Sequence, residues 1–261
     1  MPLTLKITLQ PEPRARMNAH PLGLRAVVYD WIRRADPEAA QAIHDANQPK
    51  PYNIGPLLPW PGADPRTPGA VAFEVSVLVD WVGDLIVAGA ADAATGMRLG
   101  RDHFRIAGPP ELVRRASWEE LMQSERAAAR WRFRLVSPTA HHAAGEHRKA
   151  VVLPSPENYF GTWTSRWNLC APQPFGPELR ELIAERVAVT ACDGHTERIE
   201  LAPNRSFVGF VGEVTFGFLQ PRTAPPGSLE ALTALARLAE FSGTGVETMS
   251  GMGKTELLAA D

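Results

Sequence analysis

The sequence predicts an α+β protein built on two antiparallel sheets. Three observations carry that expectation. Segments alternating apolar and polar side chains recur along the chain, segments of helical spacing separate them, and a Gly-Pro-Pro break falls near the middle. A chain of 261 residues has room for one large domain or two small ones. Hydrophobic residues, at 44%, are enough for a core and exclude disorder as the main state.

Leu3 to Leu9 alternates and reads as a strand, closed by Pro11 and Pro13. Leu22 to Arg34 sets Leu24, Val27, Val28, Trp31 and Ile32 at three-to-four spacing, which is an amphipathic helix. Pro37 to Ala46 reads as a second, short helix, with Asp36 as N-cap and proline at its first position. Lys50 to Leu58 is extended, and residues 59 to 69, with four prolines and two glycines, form a loop. Val71 to Val79 reads as a strand, Gly83 to Ala94 as a helix and Met97 to Ile106 as a further strand. The order β-α-β-β-α-β is one ferredoxin-like (RRM-like) unit.

Gly108-Pro109-Pro110 and the charged stretch to Ala129 mark a linker, which divides domain 1–125 from domain 126–261. Strands are expected at Trp131 to Val136, Val187 to Cys192 and Phe207 to Leu219. Helices are expected at Pro156 to Leu169, Glu178 to Arg186 and Leu229 to Phe241, and Val246 to Leu258 closes the chain in extended form. The second half is thus another unit of the same kind with helical extras, and the whole is two ferredoxin-like folds in tandem.

Composition excludes several function classes. The most apolar window, Trp81 to Ala94, is short and carries Asp84 and Asp92, whereas a membrane span needs about 20 apolar residues. The alternating N-terminus lacks the apolar block of a signal peptide. Cys170 and Cys192 fit neither a disulfide framework nor a zinc site, so a reducing cytoplasm is the expected compartment. A net charge of −2 excludes a globally basic nucleic-acid binder, and any polyanion has to meet a local patch.

Such a patch exists. Arg126 to Lys149 holds six basic residues against one acid. Within it Arg130, Arg132 and Arg134 share one face of a strand, and Trp131, Phe133 and Leu135 share the other. Arginines about 7 Å apart roughly match the phosphate spacing of a nucleic-acid strand. The same row also suits a solvated sheet face beside acidic partners.

Near the C-terminus, glycines fall at 243, 245, 251 and 253, followed by Lys254 and Thr255. The Gly-Lys-Thr tripeptide imitates a P-loop, but Thr248 stands where that motif needs its first glycine, and only six residues remain to build its helix. A glycine-rich loop lets backbone N–H groups approach an anion, and it also serves as a plain tight turn after a helix.

Gly-x-Gly, five residues and Gly-x-Gly after an apolar helix resembles the C-terminal signature of the CRISPR repeat-cleaving endoribonucleases, members of the repeat-associated mysterious protein (RAMP) superfamily. Gly209-Phe210-Val211-Gly212-Glu213-Val214 is similar to the strand before that helix, and Phe133 to Thr139, with Ser137-Pro138, to the opening of the family's second domain. Pro21 to Arg25, Tyr29 to Ile32, Ile43-His44-Asp45 and Lys50-Pro51-Tyr52 resemble its first helix and catalytic segment.

The resemblance implies the tandem ferredoxin-like fold and a cofactor-free, metal-independent cleavage of CRISPR repeat RNA. In that reaction a 2′-hydroxyl attacks the adjacent phosphate, leaving a 2′,3′-cyclic phosphate and a 5′-hydroxyl. It implies His44 as general base or acid, Tyr29 as a positioning group, and Arg25 and Lys50 as charge stabilisers, with His20 a candidate second histidine. Histidine suits proton transfer because it titrates near neutrality, and Arg25 and Tyr29, four apart, project from one helix face. Gly243, Gly245, Gly251, Gly253, Lys254, Arg130, Arg132, Arg134 and Ser137 are the implied RNA contacts. Repeat RNA is the expected partner; other subunits of a CRISPR interference complex and a second copy of the chain are further candidates. Two positions depart from the pattern: Glu247, where a basic residue is common, and Gly55, in place of serine. Two rival readings are a non-catalytic RNA-binding subunit of the same superfamily and, from His44-Asp45, an HD-type metal phosphohydrolase.

Overall fold

A computed structural model describes residues 1–12, 21–46, 49–59, 71–92, 96–99, 102–123, 127–143 and 149–261. The chain forms two compact units. Unit one is Met1–Arg115 with Glu200–Ser206 and Met249–Gly251, and unit two is Ala116–Ile199, Phe207–Thr248 and Met252–Asp261.

Unit one contains β1 (Leu3–Pro11), α1 (Pro21–Ala35), α2 (Pro37–Asp45), β2 (Tyr52–Ile54), β3 (Leu58–Pro59), β4 (Val71–Val77), α3 (Asp80–Asp92), β5 (Met97–Leu99), β6 (Asp102–Ile106) and β7 (Glu111–Arg115). Its antiparallel sheet runs β2-β4-β1-β6-β5, with β3 on β4 and β7 on β1. The register sets Leu5 opposite Val75 and Ile7 opposite Phe73. These side chains meet Leu24, Val28, Trp31 and Ile32 of α1 and Val82 and Ile86 of α3 in one core. The two helices touch at Gly89, where a Cβ would lie 2.0 Å from the Trp31 carbonyl oxygen, so no larger residue fits there unless the helices separate. Asp36 caps α2 as expected, its carboxylate accepting from the Ala39 N–H at 2.9 Å.

Unit two contains α4 (Trp118–Met122), β8 (Arg130–Thr139), β9 (His141–His142), β10 (Ala150–Val151), α5 (Pro156–Cys170), α6 (Glu178–Arg186), most of β11 (Val187–Ala202) and of β12 (Arg205–Phe218), α7 (Ser228–Ser242) and β13 (Thr255–Ala260). Its four-stranded sheet runs β11-β12-β8-β13, and β9 pairs with β10. β8 alternates as its sequence requires: Trp131, Phe133 and Leu135 are buried, and the arginines between them are exposed. The rings of Trp131 and Phe133 join Tyr159, Phe160, Trp163 and Phe216 in an aromatic core with centroids 4.9–6.1 Å apart.

Mixed helices and strands on antiparallel sheets are the predicted class. Three local expectations are corrected. Where one strand was expected, Met97–Leu99 and Asp102–Ile106 are two paired strands, with Leu99 opposite Asp102. The linker between 108 and 129 holds β7 and α4, the latter fixed by a capping box between Ser117 and Glu120. The end of the chain is not extended throughout, since Thr248–Ser250 is a 3₁₀ turn and strand begins only at Thr255. No described helix is long and apolar enough to cross a membrane.

Candidate active site

The first helix and the segment after it converge on one pocket of about 340 Å³ within unit one. Arg25 and Tyr29, one turn apart on α1, enter it from one side. His44 enters from the last turn of α2, exposed, with its ring 5.6 Å from that of Tyr29. Lys50 and the buried Tyr52 follow, and Arg205 and Met249 complete the lining. All four residues nominated as catalytic are therefore together.

Lys50 does more than add charge. Its ammonium donates to the carbonyls of Ile43 at 2.5 Å, His44 at 2.9 Å and Ala46 at 2.7 Å. A lysine has three donors, and these bonds occupy all of them. The side chain thereby closes the C-terminal end of α2, where carbonyls lack helical partners. Burial, then the neighbouring Arg25, lowers the Lys50 pKa against an opposing pull from Asp45. Tyr52 is pushed up to about 12 by burial and the nearby Tyr29, despite Arg25, so it stays protonated.

The glycine-rich loop belongs chiefly to unit two. Gly245 and Gly253 have φ of 81° and 69°, and a Cβ would lie 2.2 Å from the Ala140 oxygen or 2.0 Å from the Thr244 oxygen. Only glycine fits either position. The N–H of Gly243 bonds Ala239, that of Gly253 bonds Pro138, and those of Thr244 and Val246 bond Gly253 and Ala140. All four glycines are buried. The expectation that such amides face an anion meets a physical obstacle at Gly243 and Gly253: those donors hold the loop closed. Ser137 is likewise buried, its hydroxyl accepting from the Lys254 N–H at 2.9 Å.

Three comparisons bear on this geometry. The family model for CRISPR-associated endoribonuclease Cas6 matches residues 133–255, from β8 through the glycine loop. A Cas6 solved as a product complex is 26% identical, with a TM-score of 0.84 over 99% of this chain and 100% of that one. This chain is similar to Cas6 in that stretch and in its fold. Thermus thermophilus Cas6 (24% identity, TM-score 0.69, 99% and 98% covered) has the same fold. So has the product of a Cas6-related gene from Pyrococcus furiosus (11% identity, TM-score 0.66, 100% of each chain). No curated protein matches by sequence.

In this chain the arginine row is not a bare cationic strip. Arg132 and Arg134 both bind the carboxylate of Glu213 on β12, and Arg134 also reaches Glu256 at 3.6 Å. The two guanidiniums hold the Glu213 carboxyl below its usual range. Arg130 lies on the same exposed face. His20 lies outside the described residues.

Sequence reasoning missed two cations. Arg205 sits at the tip of the β11–β12 hairpin, far in sequence from everything else in the pocket, and carries no motif. Arg166, between Trp163 and Trp167 on α5, is buried and donates to the Thr248 hydroxyl at 2.9 Å and the Gly243 carbonyl at 3.5 Å. Burial lowers its pKa to about 10, with Cys170 acting the other way. An arginine at an apolar helical spacing was the available signal.

Proposed function

We propose that this chain cleaves CRISPR precursor RNA within its repeats. A ribose 2′-hydroxyl attacks the adjacent phosphate, the 2′-O–P bond forms, and the P–O5′ bond breaks. The 2′-hydroxyl loses its proton, and a proton is delivered to the departing 5′-oxygen. Products end in a 2′,3′-cyclic phosphate and a 5′-hydroxyl. Nucleophile and leaving group both belong to the RNA, so the protein has to supply proton transfer, alignment and positive charge.

The pocket around His44 carries this reading. An exposed imidazole beside a tyrosine ring, with Arg25 and Arg205 lining the same pocket, brings a proton carrier and two permanent cations to one place. His44 performs one of the two proton transfers. Tyr29 holds the reacting ribose or phosphate, and the guanidiniums offset charge on the phosphorane. Lys50 positions His44 through the end of α2. The Cas6 family model and the 26%-identical Cas6 product complex support an RNA-processing role. A cytoplasmic location goes with it.

The test is incubation with the chain's own repeat RNA in EDTA. Wild type is expected to cleave once per repeat. His44→Ala is expected to keep RNA affinity while cleavage falls about 10²–10⁴-fold, the usual worth of general acid–base catalysis. Binding without cleavage by wild type would make the chain a structural subunit, and loss of cleavage in EDTA alone would bring in a metal.

A further inference from the structure

Unit two holds a second cavity, about 530 Å³ in volume, and none of its lining residues belongs to the pocket around His44. Its floor is one face of α5, its far wall is α6, and His141 of β9 closes one end. Two features mark it as built for a ligand.

The first is His141. Only 6% of this residue is exposed, and neither ring nitrogen has a hydrogen-bond partner. Beside it lies Tyr159, ring centroids 5.1 Å apart, with a buried hydroxyl that also lacks a partner. Buried polar atoms are nearly always paired, so an orphaned imidazole lining an open cavity calls for an occupant. Burial, then Arg166 and His142, lowers its pKa to about 4, which leaves the ring neutral, with one donor and one acceptor.

The second is Gly161, in the middle of α5. Glycine there costs helix stability relative to alanine. Packing does not demand it, because an added Cβ would meet nothing within 4 Å. What glycine does is leave the helix backbone bare on the cavity floor, where a flat group can lie close to it.

The rim chemistry narrows the occupant. Asn158 offers an amide, which, like neutral histidine, both donates and accepts. Arg180, tethered to the Ser165 hydroxyl at 2.9 Å, brings a guanidinium, and Glu157 a carboxylate. A nucleobase edge needs donors and acceptors side by side, a phosphate suits the guanidinium, and a ribose diol suits the carboxylate. We propose that this cavity receives one unpaired nucleotide of the bound RNA, its base against His141, Asn158 and the bare backbone at Gly161. The proposal rests on the reading of the chain as an RNA-processing protein.

The test measures affinity for repeat RNAs carrying a single abasic site, one position at a time, with wild type and Gly161→Leu. Leucine is a good helix former that projects into the cavity, and an unchanged or raised thermal midpoint checks the fold. For intact RNA the variant is expected to bind about tenfold more weakly. One abasic position should weaken wild type by a similar factor and have no further effect in the variant, because the same contact has already been removed. Identical affinities and identical abasic profiles for the two proteins would overturn the proposal while leaving repeat cleavage intact. Free nucleoside monophosphates that shift the His141 ring signals in NMR, without any such RNA position, would also overturn it, in favour of a free nucleotide. Failure of wild type to bind any repeat RNA would instead remove the functional reading on which the proposal rests.

Discussion

Lys50 holds His44 in place through backbone rather than through its ring. Its ammonium gathers three carbonyls at the end of α2, one of them from His44 itself. Lys50→Ala would leave those carbonyls to solvent and let the last turn fray. We expect it to lower unfolding stability by about 1–2 kcal/mol in chemical denaturation, and to lower cleavage because His44 is misplaced. A variant that keeps full stability but loses cleavage would put the ammonium on the phosphate instead. At this scale the grouping of the candidate residues was largely legible. His44, Tyr29, Arg25 and Lys50 lie close together in sequence, on two helices joined at Asp36 and on the connection that follows them. Arg205 was not legible, because it reaches the pocket through a long hairpin whose pairing no local pattern reveals.

Among the elements, β8 shows what alternation can and cannot say. Period two correctly put Trp131, Phe133 and Leu135 inside and the arginines outside. It could not show that Glu213, on the neighbouring strand, sits opposite Arg134 and takes up Arg132 as well. That carboxylate competes with any phosphate for the same donors. Glu213→Gln is therefore expected to tighten RNA binding and steepen its salt dependence, by about 0.7 in log–log slope for each phosphate newly engaged by a single strand. A slope equal to that of wild type would place the face of β8 away from RNA. β7 was missed for the opposite reason. All five of its residues are exposed, so no apolar pattern marks it, and it is a strand through its backbone pairing to β1. β5 and β6 were read as one strand because a single glycine, Gly100, is too weak a sequence signal to divide two strand-like runs.

Across the whole molecule, acid stability is where the buried histidine makes itself felt. Folded, His141 titrates near 4, because burial and then Arg166 and His142 oppose its charge; unfolded, it returns to about 6.5. Between those values the unfolded chain binds a proton that the folded chain does not, so stability rises with pH across the window and is lost as pH falls from 6.5 to 4. The loss amounts to about 3 kcal/mol. Carboxylates act lower. Burial tends to raise the Asp30 pKa, but hydrogen bonds from Arg33 and Arg34 outweigh it, and Arg132 and Arg134 lower that of Glu213. Their contributions are present above the ordinary carboxylate range and fade below it. Urea titrations from pH 7 to pH 4 separate the two sources. Tryptophan emission is a suitable probe, since Trp118, Trp131, Trp163 and Trp167 all lie in the unit that holds His141. Wild type is expected to lose its 3 kcal/mol mostly above pH 4, and His141→Gln, which cannot titrate, to keep a flatter profile down to the carboxylate range. Equal slopes in the two proteins would mean that the ring takes up its proton without leaving the fold.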